Sequence, residues 1–139
     1  LNKCYGYWGS YTSFNQLLKK RVGSYLPDTI ILKKNDELLA GSFLSYRTVR
    51  LKNGLKTVAA IMTGSWTLPS ARGQGCFTRM IKESLKVSSH RGASLLLAFV
   101  TRDNASYRRL IEAGSALFES HYVFSTELTP LPSGKKHFN

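Results

Sequence analysis

The rhythm of apolar positions changes several times along this chain. Thr29-Ile30-Ile31-Leu32 is a short strand-like run, and Asn35-Asp36 after it is a turn pair. Leu38 to Leu51 follows with some polar alternation. Lys52-Asn53-Gly54 is a hairpin signal, and a third run extends from Thr57 to Leu68. These runs predict an antiparallel meander. The period then becomes helical: Phe77, Met80, Ile81, Leu85 and Ser88 share one face, while Arg79, Lys82, Glu83 and Lys86 lie largely off it. His90-Arg91-Gly92 suits a C-terminal cap, with cations at the negative end of the helix dipole.

Ala93 to Val100 has no alternation and predicts a strand buried on both faces. Asp103-Asn104-Ala105-Ser106 opens a second helix as an N-cap. That helix carries Tyr107, Leu110 and Ile111 and stops at Gly114, and a last strand is expected from Ala116 to Ser125. Upstream, Thr12-Ser13 is expected to cap a short helix containing Phe14, Leu17, Leu18 and Val22, with Lys19-Lys20-Arg21 near its C-terminal end. Thr129 to Gly134 reads as the start of a tail. One domain over residues 1–128 with a tail over 129–139 is the expected organisation, without internal repeats.

Chemistry concentrates between the third strand and the helix after it, in Leu68-Pro69-Ser70-Ala71-Arg72-Gly73-Gln74-Gly75-Cys76-Phe77. A helix N-terminus has N–H groups without intrahelical partners, and its dipole favours negative charge. Two glycines and an arginine at such a point suit a diphosphate. Alone the turn is weak, because R-G-x-G also caps helices for structural reasons.

The order strand, glycine loop, helix, apolar strand, helix, strand, with these residues, resembles the GNAT superfamily of acyl-CoA-dependent N-acetyltransferases, from about Asp28 to Ser125. Thr67-Leu68-Pro69 stands where the family has V-x-P, and Arg72, Gly73, Gln74 and Gly75 match its loop of the form (Arg or Gln)-x-x-Gly-x-(Gly or Ala). Phe77 replaces the final small residue. Asp103-Asn104-Ala105-Ser106 through Gly114-Ser115 is similar to the second family motif.

The resemblance implies an α+β (mixed α/β) fold with a central mixed, mostly antiparallel sheet flanked by helices on both faces. It implies acetyl-CoA as co-substrate, held by Trp66, Thr67, Leu68, Arg72, Gly73, Gln74, Gly75, Cys76, Phe77, Asn104 and Ser106. With Gly114 aligned, Leu110 stands where many members carry a tyrosine acid, and Tyr107 lies about one turn earlier. Only about 28 residues precede the first strand, short for the family's N-terminal strand and helices. Either that wall of the acceptor site is reduced or the chain lacks its start; its first residue is not Met.

Composition narrows the classes. The chain has 139 residues, 42% of them hydrophobic, enough for one packed core. No apolar run approaches the ~20 residues of a membrane span. Leu1-Asn2-Lys3 does not open a convincing signal peptide, so a cytoplasmic location is expected. Cys4 and Cys76 are too few for a disulfide scaffold, and with His90, His121 and His137 they show no metal-ligand spacing. Cys76 reads as a small buried residue or, less simply, as a thiol at a helix N-terminus. The net charge of +12 points to an anionic partner. No Asp or Glu occurs between Glu37 and Glu83, while Arg47, Arg50, Lys52, Lys56, Arg72, Arg79 and Lys82 do. The phosphates of acyl-CoA account for part of this surplus, and a solvated basic surface is a simpler reading of the rest than nucleic acid or acidic lipid, for which no motif beyond charge speaks.

The implied reaction is attack of a neutral primary amine on a thioester. A lysine-like amine has a pKa near ~10.4 and must first lose a proton. The site therefore needs a base or water chain, donors for the carbonyl oxygen, and an acid or solvent for the thiolate. By resemblance to the family's splayed fourth strand, backbone N–H groups near Trp66, Thr67 and Leu68 are the candidate donors. Glu119 and His121 share one face of the last expected strand and are candidate proton relays, though each also reads as a surface residue. Tyr107 is the candidate acid, with packing as its simpler reading. The acceptor, small molecule or peptide, is not named by any signature. Two alternatives stand beside an N-acetyltransferase: a CoA-binding module with little or no transferase activity, and a basic nucleic-acid-binding domain.

Overall fold

The computed structural model describes residues 4, 6, 9–19, 25–118 and 120. Strands β1 (Asp28–Lys34), β2 (Glu37–Arg50) and β3 (Lys56–Thr67) form the expected meander. Asn35 and Asp36 join β1 to β2 with φ of 48° and 62°, the two positive values that a type I′ hairpin turn requires. Helix α2 (Cys76–His90) crosses from β3 to β4 (Leu95–Ala98), which pairs parallel to β3. The sheet order is β1-β2-β3-β4, mixed and mostly antiparallel.

Alternation along β2 sends Ala40, Leu44 and Tyr46 to one face, where they meet Cys76, Met80 and Ile81 of α2 in the main core. Phe43 points to the opposite face. There its ring meets the edge of Phe14, on helix α1 (Tyr11–Lys19), at a centroid distance of 5.6 Å. Helices thus stand on both faces of the sheet.

Local expectations needed adjusting in three places. The buried stripe of α2 runs through Ser84 and Ser88, and Leu85 is 49% exposed. Leu44, Tyr46 and Met80 are fully or almost fully buried and fill this layer, so the helix turns small serines to the sheet. Strand β4 is not buried on both faces: Leu95 is exposed and Leu96, Leu97 and Ala98 are half-buried, and among the described residues β4 lies at the edge of the sheet. Helix α1 is capped by Ser10, whose Oγ accepts from the Ser13 N–H, and not by Thr12 or Ser13.

The end of α2 is a Schellman cap, with Gly92 N–H donating to Ser89 O and Ala93 N–H to Ser88 O. Arg91 leaves this cap to grip Asp28 with two hydrogen bonds, at 2.7 and 3.1 Å, and Tyr46 Oη donates to the same carboxylate at 2.6 Å. This clamp ties the start of β1 to the end of α2. Burial works to raise the Asp28 pKa. The hydrogen bonds from Arg91 and Tyr46 and the Arg91 charge outweigh it, and the carboxyl is held below its ordinary value. Burial and the bond to Asp28 push the Tyr46 phenol well above its ordinary value.

Helix α3 (Ala105–Glu112) is capped by Asn104, whose Oδ1 accepts from Ser106 N–H at 2.9 Å. Of the expected strand from Ala116 to Ser125, residues 116–118 and 120 are in neither helix nor strand, and the remainder lies outside the described residues. Val22 and the expected tail also lie outside them.

Candidate functional site

Two breaks in the sheet open a cleft. Pairing of β3 with β4 ends at Met62 opposite Ala98, yet β3 continues to Thr67. Beyond Met62 the two strands have no shared register, so the β4-side edge of β3 faces the gap. On the other edge, the register with β2 jumps between Gly41 and Phe43, so that Gly64 and Ser65 together oppose Ser42. Such bulges re-aim side chains and recur beside active sites. Ser42 Oγ and Ser65 Oγ are bonded at 2.8 Å, which fixes the bulge. Trp66 then lies against Gly41, a position where any Cβ would strike the indole.

The floor is the start of α2. Pro69–Ala71 forms a single 3₁₀ turn, and Gln74 Nε2 donates to Ser70 O, closing the loop on itself. Gly75 takes the left-handed conformation at φ 72° and makes the N-cap without any side-chain capping bond. Gly73 is also left-handed, and a Cβ at either glycine would enter open space. Helical bonding starts with Arg79 N–H donating to Gly75 O. The N–H groups of the first turn therefore have no intrahelical acceptor, and that turn holds no acidic residue. Unpaired N–H groups and the positive end of the helix dipole make this turn suited to an anion.

Helix α3 forms the facing wall. Ala105, Ser106, Arg108 and Arg109 line the cleft with Cys4, Ser65, Trp66, Thr67, Ala71, Arg72, Gly73, Gly75, Cys76, Phe77 and Thr78, around a volume of about 730 Å³. That volume is in the range of small-molecule sites. Glu112 bonds both Arg108, at 3.3 Å, and Arg109, at 2.8 Å, and holds the two guanidinium groups on this wall. Among the described residues, three arginines line the cleft and no lining residue is acidic.

Of the residues expected to hold a cofactor, Trp66, Thr67, Arg72, Gly73, Gly75, Cys76, Phe77 and Ser106 come together here. Leu68, Gln74 and Asn104 do not line the cleft. Leu68 N–H is engaged by Leu39 O at 2.8 Å and so is not a free donor. Gln74 braces the loop, and Asn104 caps α3. Tyr107 is half-buried and does not line the cleft; helical spacing turns it away from the side that carries Ala105, Ser106 and Arg109. Leu110 is 8% exposed and part of the core, so its position does not face the cleft either. Glu119 and His121 lie outside the described residues.

Cys4, Ser65, Thr78, Arg108 and Arg109 are lining residues that the sequence reading did not single out. Cys4 arrives from far away in the chain, with its Sγ 3.4 Å from Thr67 O. The paired arginines had a local signal, two cations on the first turns of a helix beside a proposed anion site. Among the described residues no group of His, Cys, Asp and Glu is arranged to hold a metal ion. No described helix is long and apolar enough to cross a membrane.

No protein-family model matches the chain, and no curated protein matches it. Solved structures do. An aminoglycoside 6′-N-acetyltransferase from Acinetobacter haemolyticus matches with a TM-score of 0.66 at 18% identity, over 84% of this chain and 79% of that one. A predicted acetyltransferase with acetyl-CoA, from Clostridium acetobutylicum, matches with a TM-score of 0.64 at 15% identity, over 82% and 71%. A transcriptional regulator from Bacillus halodurans matches with a TM-score of 0.62 at 18% identity, over 84% and 74%. The chain has the GNAT acetyltransferase fold. At these identities the likeness speaks for the fold alone.

Proposed function

We propose that this protein is an N-acetyltransferase that transfers the acetyl group of acetyl-CoA to a primary amine. The observation that carries this reading is the uncapped, glycine-initiated N-terminus of α2, opening into a cleft lined by Arg72, Arg108 and Arg109. Diphosphate fits this surface: the first-turn N–H groups of α2 donate, Arg72 adds a charged donor beside them, and the α3 arginines supply countercharge from the facing wall. Loss of glycine at the Phe77 position leaves its backbone N–H in place. The stretch of β3 from Thr63 to Thr67, past its pairing with β4, runs away from this phosphate site alongside an extended polar chain.

Acetyl-CoA, when bound, supplies a thioester open to a neutral amine. This chain contributes position and dipoles: it orients the thioester along β3 and directs N–H groups of that strand at the carbonyl oxygen. Among the described residues, none that lines the cleft is a carboxylate or a histidine. Removal of the amine proton therefore falls to water or to Glu119 or His121. Tyr107 stays a candidate acid only if its helix turns. A CoA-binding module with little turnover is the second reading, favoured by Leu110, which lies in the core with no acid in its place.

The test is release of free CoA from acetyl-CoA in the presence of a panel of amines, aminoglycosides, amino sugars and lysine peptides included. Amine-dependent release supports the transferase. Binding of acetyl-CoA without release by any amine supports the binding module.

A further inference from the structure

At the end of the sheet away from the cleft, the β2–β3 hairpin presents an unusual tip. Register sets Arg50 directly opposite Lys56. Like charges facing each other across a ladder are destabilising, and no acid lies between Glu37 and Glu83 in sequence to relieve them. One step further out, Leu51 and Leu55 are joined by Leu51 N–H to Leu55 O at 2.8 Å, and they are 39% and 63% exposed. Gly54 N–H donates to Leu51 O, and Leu55 N–H donates to Asn53 Oδ1, so the turn that displays both leucines is hydrogen-bonded on itself. Lys52 is exposed within that turn. Two apolar side chains at the apex and a collar of cations behind them make an amphipathic point.

We propose that this hairpin tip is a docking point for an anionic lipid surface, with Leu51 and Leu55 entering the headgroup layer and Arg50, Lys52 and Lys56 meeting lipid phosphates and carboxylates. The charge selects an anionic partner. The leucines select lipid over nucleic acid, since a polar, wet phosphate backbone gives no return for burying them. The closed turn lets both side chains insert without first losing loop entropy. Thr57 Oγ1 bonds Ser94 Oγ at the base of β4, behind the tip, whereas the cleft starts only after Met62. Docking through the tip therefore leaves the cleft open.

The experiment is co-sedimentation of the full chain with vesicles of phosphatidylcholine, with and without phosphatidylserine. The parent is expected to sediment only with the phosphatidylserine vesicles. Leu51→Ser with Leu55→Ser keeps every charge and is expected to lower partitioning about tenfold or more. Lys52→Glu with Lys56→Glu is expected to abolish it, each basic residue being worth roughly fivefold near such a surface. The double-serine variant should keep the parent's thermal unfolding, because its altered side chains are exposed, and the double-glutamate variant should unfold no earlier than the parent, because Lys56→Glu sets opposite charges across the ladder from Arg50. The proposal is overturned if the parent does not sediment. It is equally overturned if the double-serine variant partitions like the parent, which would show charge alone at work. Displacement by a single-stranded RNA that binds parent and double-serine variant alike would assign the basic surface to nucleic acid instead.

Discussion

The indole of Trp66 occupies the space that a side chain at residue 41 would need: a Cβ on Gly41 would lie 2.7 Å from Cζ2 and 2.8 Å from Nε1. The two residues face each other across β2 and β3 just beyond the bulge, and Trp66 lines the cleft. Gly41→Ala is therefore expected to displace Trp66. Overpacking of this kind costs about 1–3 kcal/mol, and acetyl-CoA affinity should fall with it. Urea unfolding and calorimetry read the two effects. Unchanged stability and affinity would mean that Trp66 moves freely and does not shape the cleft.

The clamp on Asp28 predicts opposite effects at the two ends of the pH scale. Its folded pKa is lowered, so its contribution to stability is present above the unfolded value of about 3.9 and is lost as pH falls through the folded value. The Tyr46 phenol is raised, so its contribution is present below the unfolded value of about 10 and is lost as pH rises toward the folded one. Urea midpoints measured across pH should show Asp28→Asn with a flatter acid limb than the parent and Tyr46→Phe with a flatter alkaline limb. Parallel curves for parent and variants would remove the clamp as a source of pH dependence.

Much of this architecture is legible in short stretches of chain. Asn35-Asp36 and Lys52-Asn53-Gly54 place both hairpin turns, and the loop from Arg72 to Gly75 gives the start of α2 to the residue, because turn and cap chemistry is local. What local chemistry does not carry is which helix face meets which strand. Leu85 outscores Ser84 as a core residue in any periodic reading, yet the volume of Leu44 and Tyr46 on the facing strand decides for serine. An apolar run such as Leu95–Ala98 looks the same whether one or two neighbouring strands cover it. In the cleft, the glycine loop is legible and the contributions of Cys4 and Gly41 are not, since each depends on contacts between distant parts of the chain.

Arg72 and Arg109 should read phosphate. A charge-assisted hydrogen bond contributes about 1.5–3 kcal/mol, so either arginine changed to alanine is expected to weaken CoA by about one to two decades. Pantetheine, which has no phosphate, should bind parent and variants alike. Equal losses for both ligands would show that these arginines shape the cleft without touching phosphate. Arg109→Ala also frees Glu112, so its thermal midpoint should be recorded beside the affinity.

Tyr107 lies on the side of α3 turned from the cleft, and Tyr107→Phe is accordingly expected to leave turnover within a few-fold of the parent. A positioned acid contributes about 10²-fold or more. A hundredfold fall in kcat at constant KM, with the fold intact, would show that α3 rotates on ligand binding and brings the phenol to the reaction.

The central claim is that the N-terminus of α2 holds the phosphates of acetyl-CoA. Gly75 is the residue to change, since its left-handed backbone is one that Asp tolerates better than most, and a side chain there enters open space. Titration calorimetry of acetyl-CoA into the parent and into Gly75→Asp, with thermal unfolding of both, is the direct measurement. Expected are binding by the parent, loss of at least tenfold in the variant as its carboxylate meets the diphosphate, and a thermal midpoint only a few degrees lower, the cost of a side chain on a left-handed backbone. Absence of binding by the parent, or equal affinity in the variant, would contradict the central claim.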